Sequence, residues 1–147
     1  MKIFLDSSVI IAALLSEKGG SAKIVKLCEA KLLKIYISED VIKEIEEVLG
    51  RKMPEAKPLF KKLLVFAHFK KVTVTVSHIK RAKAWISDEN DAKILAAAKQ
   101  SKVDYLITLD INDFIRDSSV SRKSGLVIVT PADFLQKVIP WSQGLHG

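Results

Sequence analysis

The stretch MKIFLDSSVI (residues 1–10) ends an apolar run of strand length in an acidic residue, and YLITLD (residues 105–110) does the same later in the chain. Such short apolar runs predict strands that are buried on both faces. In a parallel sheet the ligand crevice lies outside the carboxyl ends of the strands, so Asp6 and Asp110 project into it if their strands are neighbours. Two carboxylates held that close together need a shared proton or a cation between them.

Either aspartate could instead cap the helix that follows it, which is a common structural role for this residue. For Asp6, the serines that follow weaken this alternative. Ser8 could cap a helix that begins at Val9 and leave Asp6 without that role. For Asp110 both interpretations remain open.

Strand-length apolar runs alternate with helical patterns along the chain. This alternation is typical of a parallel sheet lying between helical layers. We therefore expect an α/β fold, a three-layer α/β/α sandwich with a mostly parallel central sheet. VTVTV alternates like a strand with one exposed face, which predicts a strand at the sheet edge. The predicted strands are KIFL, KIYI, VTVTV, YLITL and LVIV, and the predicted helices cover residues 9–15, 21–30, 39–49, 59–69, 80–85 and 89–99, with a helical turn at 112–116 and a closing helix from residue 131.

The composition suits one ordinary domain. The chain has 147 residues, of which 48% are hydrophobic, enough for a single sizeable core. We expect one domain over residues 1–147, with residues 140–147 forming a loose tail. Cys28 is the only cysteine, which excludes a disulfide framework within the chain and fits a reducing cytoplasm. No apolar run approaches the roughly 20 residues of a membrane span, so we expect a soluble protein with no membrane partner.

The chain is basic, with a net charge of +7 and a pI near 9.5. This charge favours a polyanionic partner, because cationic side chains release counterions when they bind phosphates. A lysine-rich solvated surface accounts for a charge of this size equally well.

The helix predicted over residues 39–49 carries an acid on each edge of its apolar stripe. At about 100° per residue, Glu44 and Glu46 flank the stripe on opposite sides. One of them could reach the crevice, and either could be an ordinary solvated side chain. Helical geometry does not decide between them.

SDENDAKILAAAKQ (residues 87–100) places an acid inside an apolar stripe, since Asp91 lies between the directions of Leu95 and Ala98 on a helical wheel. A carboxylate there is costly unless something compensates for its charge. In the structural alternative, Asp88 is the N-cap and Asp91 is its partner three residues into the helix. That alternative explains why Asp91 lies in the first turn but not why it faces inward, so we favour a ligand role for Asp91.

Four motifs in this order resemble those of PIN-domain nucleases, the family that includes VapC-type toxins of toxin–antitoxin pairs. They are LDSS near the start, SEDVIKEIEEVL after the second strand, SDENDAKILAAA before the fourth strand, and YLITLDINDF on and after that strand. The resemblance covers nearly the whole chain and implies a PIN-like fold. It favours Glu44 over Glu46. By resemblance the catalytic, metal-binding acids are Asp6, Glu44, Asp91 and Asp110, Asp113 is a further metal ligand, and Ser8 and Thr108 are hydrogen-bond partners that orient the carboxylates.

The resemblance and the chemistry of these residues agree on a divalent-metal-dependent endoribonuclease. Carboxylate oxygens without a cluster of histidine or cysteine suit Mg²⁺ or Mn²⁺, and four or five acids could hold one or two ions. The resemblance further implies single-stranded RNA as substrate, an antitoxin protein as partner, and a homodimer. The alternative is a non-catalytic RNA- or protein-binding module that retains the acidic pocket. A phosphoryl-transfer domain that uses Asp6 is disfavoured, because Ser8 occupies the position of that motif's second acid.

Overall fold

A five-stranded sheet forms the centre of the computed structural model, which describes residues 1–139. The tail expected at residues 140–147 lies outside the described residues. The strands are β1 (Lys2–Leu5), β2 (Lys34–Ser38), β3 (Lys70–Val72), β4 (Tyr105–Ile107) and β5 (Ile128–Val129). Neighbouring strands all pair in parallel, in the order β3-β2-β1-β4-β5.

Helices connect these strands. They are α1 (Ser7–Leu15), α2 (Gly20–Glu29), α3 (Glu39–Lys52), α4 (Lys57–Phe66), α5 (Val76–Ala82), α6 (Glu89–Gln100), α7 (Ser118–Ser124) and α8 (Pro131–Asp133). A 3₁₀ turn at Pro54–Ala56 and π-helical turns at Ile111–Ile115 and Phe134–Val138 complete the described chain. Within residues 1–139, no helix has the length and apolar character needed to cross a membrane.

The central strand β1 shows why the sheet needs helices on both sides. Ile3, Phe4 and Leu5 each have 0% of their surface exposed. Because successive residues of a strand project to opposite faces, both faces of the sheet must be covered. Burial of each such side chain contributes about 1.5–3 kcal/mol. The expected three-layer α/β/α sandwich with a parallel sheet is confirmed.

The order of the strands reverses at β1. This strand pairs with β2 on one side and with β4 on the other, where Leu5 lies opposite Ile107. In open parallel sheets, ligands bind at such a reversal, outside the carboxyl ends of the two strands. The residues that follow Leu5 and Ile107 therefore lie where a binding site is expected.

The prediction of a strand over VTVTV (residues 72–76) is wrong. The sheet does have an edge strand here, but this strand, β3, ends at Val72. Only Val72 belongs to β3, and the chain then leaves the sheet. The Gln100 side chain makes the backbone hydrogen bonds that a neighbouring strand would otherwise make. It accepts from the Thr75 N–H at 3.1 Å and donates to the Thr73 carbonyl at 2.8 Å. Thr75 then caps α5, whose first residue is Val76, so this helix begins earlier than the predicted position 80.

The sequence did not predict helix α7, and several predicted ends shift by a few residues. The segment Ser118–Ser124 reads SSVSRKS and contains one apolar residue, Val120, so it has no apolar stripe. Its ends identify it instead: Asp117 caps the first turn, and Gly125 ends the helix with a φ of 73°. Glycine reaches such positive φ values without the steric cost that other residues meet.

Candidate metal centre

Asp6 follows β1 and is 5% exposed, with both carboxylate oxygens hydrogen-bonded. Its Oδ1 accepts from the Ser7 backbone N–H at 2.7 Å. Its Oδ2 accepts from the hydroxyl groups of Ser8, at 3.0 Å, and of Thr108, at 2.8 Å. A buried carboxylate with this many donors is held in one orientation.

Asp6 is also the N-cap of α1, which begins at Ser7. The expectation that Ser8 caps a helix beginning at Val9 is therefore wrong. Ser8 lies inside the first turn. Its hydroxyl donates to the Asp6 carboxylate and does not cap a backbone N–H of the helix. The capping role and the crevice position of Asp6 coexist, because capping uses only Oδ1.

The hydroxyl groups of Ser8 and Thr108 connect the ends of β1 and β4. Ser8 Oγ accepts from the Leu109 N–H at 3.2 Å, and Thr108 Oγ1 accepts from the Asp110 N–H at 2.9 Å. Each hydroxyl has one hydrogen to donate, and in both residues it goes to Asp6. The backbone after β4 is thereby fixed relative to the carboxylate after β1.

Three of the sequence-predicted acids lie together at the end of β4. Asp91, Asp110 and Asp113 each offer a carboxylate oxygen, and these oxygens lie within 4.8 Å of one another. Asp110 caps the π-helical turn, since its Oδ1 accepts from the Asp113 N–H at 3.1 Å. Asp88 caps α6 and accepts from the Asp91 N–H at 2.9 Å, as the structural alternative for Asp88 anticipated.

Burial and the repulsion of like charges dominate the electrostatics of this cluster. Burial, followed by the charges of Asp88, Asp113, Asp110 and Asp6, raises the pKa of Asp91 to about 7. The hydrogen bond and the charge of Asp110 raise the pKa of Asp113. The ion pairs of the described residues are Lys83–Glu89 and Lys137–Asp133, which involve none of these acids.

Glu44 approaches the same centre from α3. Partial burial raises the pKa of Glu44, the charges of Asp6 and Glu47 raise it further, and a hydrogen-bonding contact with the Ser7 side chain lowers it. Glu46 instead lines a small cavity on the other edge of the helix, with Lys57. The structure thus brings Glu44, not Glu46, next to Asp6, which the helical wheel alone left open.

The donor set fits a divalent cation. It consists of carboxylate oxygens, which hard cations such as Mg²⁺, Mn²⁺ and Ca²⁺ prefer. Three acids gathered within a few ångströms carry a cost in the folded state that a cation between them would remove. Asp91, Asp110 and Asp113 could hold such an ion directly, with Asp6 and Glu44 beside them.

A groove of about 420 Å³ opens beside Glu44, between α3 and α6. Lys43, Arg51 and Lys93 line it together with Asn90. The sequence analysis did not single out these cations, and no local signal could have found them. Their helices are distant in sequence, and only the three-dimensional fold brings residues of α3 and α6 to the same groove.

Comparison with known proteins identifies the family and the fold. A family model described as the PIN domain matches residues 2–112. No curated protein is similar enough to match the chain. The structure is similar to that of VapBC2 from Rickettsia felis bound to promoter DNA, with a TM-score of 0.67 and 16% identity, covering 88% of this chain and 98% of that one.

Two further solved structures share the fold. A toxin–antitoxin complex from Klebsiella pneumoniae has a TM-score of 0.64 and 19% identity, covering 88% of this chain and 97% of that one. VapC20 from Mycobacterium tuberculosis, a toxin that cleaves the sarcin–ricin loop, has a TM-score of 0.54 and 19% identity, covering 71% of this chain and 86% of that one. Since the family model extends from β1 past Asp110, this chain belongs to the PIN domain family.

Proposed function

We propose that this protein is a divalent-metal-dependent endoribonuclease that hydrolyses phosphodiester bonds of single-stranded RNA. The observation that carries the proposal is the meeting of Asp91, Asp110 and Asp113 within 4.8 Å at the reversal of the strand order, beside the buried Asp6. Family membership supports the same conclusion. The preferred ions are Mg²⁺ and Mn²⁺, because the donors are carboxylate oxygens.

The acids divide into ligands and orienting groups. Asp91, Asp110 and Asp113 would hold the metal, and Asp6 and Glu44 would complete the site, directly or through water. A divalent ion held there would supply charge stabilisation for an in-line displacement at phosphorus. Glu44, whose pKa is raised, orients the attacking water and can accept its proton, since a base works best with a pKa nearer the working pH. Ser8 and Thr108 keep Asp6 oriented throughout.

The groove between α3 and α6 offers a path for the RNA backbone to the acids. Lys43, Arg51 and Lys93 line it, and so does Glu44, whose pKa is raised by partial burial and by the charge of Asp6. Lys93 is half-buried and has no carboxylate within 4.0 Å among the residues the structure describes. A lysine without an ion-pair partner, lying beside a phosphodiesterase centre, is suited to bind a phosphate of the substrate.

We further propose that the protein is the toxin of a toxin–antitoxin pair, acts in the cytoplasm and forms a homodimer. The Rickettsia felis and Klebsiella pneumoniae structures with this fold are toxin–antitoxin complexes. The surface of α4 carries exposed apolar side chains, among them Leu59, Val65 and Phe66, that suit a protein interface.

The test is cleavage of single-stranded RNA by the purified protein with Mg²⁺ or Mn²⁺, with EDTA, and by Asp6→Asn with the metal restored. The proposal expects cleavage only by the unaltered protein with metal. Asp104→Asn is a matched control, since Asp104 lies at the opposite end of β4 and bonds the Lys2 N–H. Cleavage that survives both EDTA and Asp6→Asn would overturn the assignment. RNA binding without divalent-ion binding or cleavage would favour the non-catalytic module.

A further inference from the structure

A second cavity, of about 320 Å³, opens next to the acid cluster and is separate from the groove of Lys43, Arg51 and Lys93. The first turn of α6 divides the two: Asn90 lines the groove, whereas Asp88 and Asp91 line the cavity. Asp91 belongs to the acid cluster, so a group bound in this cavity would lie next to the reacting phosphate.

Trp85 forms part of the cavity wall. It lies in the loop between α5 and α6, and its backbone N–H donates to the Ala82 carbonyl at 2.9 Å. The ring is half-buried and packs against the hydrophobic core. Sequence alone favours a core or interface role for this tryptophan, and the structure adds that it also lines an open cavity beside the metal centre. A ring fixed in this way loses little further freedom when something stacks on it.

The polar lining offers groups that can bond the edge of a bound ring. Asn112 follows Asp110 in the π-helical turn, is exposed, and has no side-chain hydrogen bond to another described residue. Asp117 also lines the cavity, and its Oδ1 accepts from the Ser119 N–H at 2.9 Å. Hydrogen bonds from Ser119 lower the pKa of Asp117, so its carboxylate is ionised at neutral pH.

We propose that this cavity binds one base of the RNA, adjacent to the scissile phosphate, with the base stacked on Trp85 and its edge hydrogen-bonded by Asn112. The inference rests on the proposed nuclease function and adds a source of sequence preference to it. An unstacked base held on an aromatic ring and read along its edge is the usual way in which proteins recognise single-stranded RNA. A volume of about 320 Å³ falls within the range of roughly 300–1,000 Å³ for small-ligand sites.

The charges of the lining predict which bases fit. Once metal neutralises Asp91 and Asp113, the carboxylates of Asp88 and Asp117 remain, against the single cation Lys123. Charged hydrogen-bond acceptors therefore outnumber the one charged donor in the lining. They favour adenine, cytosine and guanine, whose edges present amino donors, over uracil, whose edge presents a single N–H donor between two carbonyl oxygens.

The first test measures binding without cleavage. In the full chain carrying Trp141→Phe, tryptophan fluorescence reports on Trp85. With Mg²⁺ present, adenosine 5′-monophosphate should quench this fluorescence with at least about fivefold higher affinity than uridine 5′-monophosphate. Asp117→Asn, which replaces one of the charged acceptors by an amide, should reduce that difference. Equal affinities, or no quenching by either nucleotide, would overturn the inference.

The second test uses cleavage of a single-stranded RNA library with sequenced products. The unaltered protein should disfavour uracil at one fixed position beside the cut. Trp85→Leu keeps an apolar side chain against the core but removes the aromatic face, and should lose that preference and raise KM by about fivefold or more. Trp85→Phe keeps a ring and should retain the preference. Thermal unfolding of both variants controls for loss of structure.

The two tests separate the inference from the function on which it rests. If the protein cleaves no RNA but nucleotides quench Trp85 with the stated order, the nuclease assignment fails and the base site stands. If RNA is cleaved with the same base profile in all Trp85 variants, the base site fails and the nuclease assignment stands.

Discussion

Asp6 has three structural and electrostatic roles at once. It caps α1, anchors the hydroxyl groups of Ser8 and Thr108, and adds its charge to the field around Asp91. The sequence suffices to place Asp6 at the end of a buried strand. It does not reveal that Asp6 itself is the cap, because that depends on whether the helix begins at residue 7 or 9. Helix ends are uncertain by one or two residues in any local pattern.

Replacing Thr108 by valine should destabilise the protein. Thr108 is 0% exposed, and valine matches its shape but leaves Asp6 Oδ2 and the Asp110 N–H each without one partner. The expected loss is about 1–3 kcal/mol in the free energy of unfolding, measured by urea denaturation. Thr108→Ser keeps the hydroxyl and should lose less. Equal stabilities of the valine and serine variants would show that the hydroxyl does not matter.

Asp91 should lower the stability of the metal-free protein at neutral pH. Its pKa is about 7 in the fold, above its ordinary value of 3.8, so the folded state binds the proton more tightly than the unfolded chain. The stabilisation that comes from protonated Asp91 is therefore fully present below about pH 4, and it is lost as the pH rises towards 7. In EDTA, Asp91→Asn should have the higher Tm at pH 8, by a margin that grows from pH 4 to pH 7 and then levels off.

Two observations check this interpretation of Asp91. Glu89→Gln, an exposed change in the same turn, should show no comparable gain over that pH range. Adding Mg²⁺ at pH 8 should raise the Tm of the unaltered protein more than that of Asp91→Asn, because binding to the folded state stabilises it. A Tm advantage that does not change with pH would contradict the assigned cause.

At the scale of elements, helix α3 shows what a periodic pattern leaves undecided. Glu44 and Glu46 are equivalent on the wheel, since each borders the apolar stripe. They differ in their neighbours from other parts of the chain. Glu44 lies near Ser7 and Asp6, whereas Glu46 lines a cavity with Lys57. That information is tertiary, and only the family resemblance anticipated it.

The two edges of α3 should differ in activity. Glu44→Gln removes the carboxylate beside Asp6 and should lower kcat/KM for RNA cleavage by about 100-fold or more. Glu46→Gln makes the same chemical change on the other edge of the helix and should leave kcat/KM within about twofold. Comparing initial rates at saturating Mg²⁺ distinguishes the two. Similar losses in both variants would mean that α3 contributes through its total charge.

The two elements that the sequence analysis missed were decided by features other than hydrophobic periodicity. Residues 73–75 have strand-like alternation, but Gln100 supplies the hydrogen bonds that keep them out of the sheet. Helix α7 has good caps but no apolar stripe. Both cases show tertiary contacts or helix caps overriding hydrophobic periodicity, which is otherwise the main local signal.

For the whole molecule, the sequence predicts a parallel sheet and two acids at strand ends but not which strands are neighbours. The order β3-β2-β1-β4-β5 makes β1 and β4 adjacent and thereby places Asp6 near Asp110. The fold also brings residues of α3 and α6 to one groove, which Lys43, Arg51 and Lys93 line. Local patterns do not encode such tertiary arrangements, so the groove could not be anticipated.

The groove should contribute to the salt dependence of RNA binding. In a cleavage-deficient Asp110→Asn background, Lys93→Ala should reduce the slope of log Kd against log salt by about 0.7, the value for one phosphate contact on a single strand. Fluorescence anisotropy with a labelled oligonucleotide measures the slope. Lys23→Ala removes an exposed lysine from α2, outside the groove, and should leave it unchanged. Equal slopes in all three proteins would exclude the groove as the RNA path.

The pairing of β1 with β4 has a consequence during synthesis. Asp6 leaves the ribosome well before its partner strand β4 and Asp110, which come much later in the chain. A nascent chain therefore cannot assemble the acid cluster while its own messenger is still being read over that stretch. Any activity that depends on the acid cluster therefore begins only after the chain has been made past Asp110, and no shorter nascent chain contains the complete site.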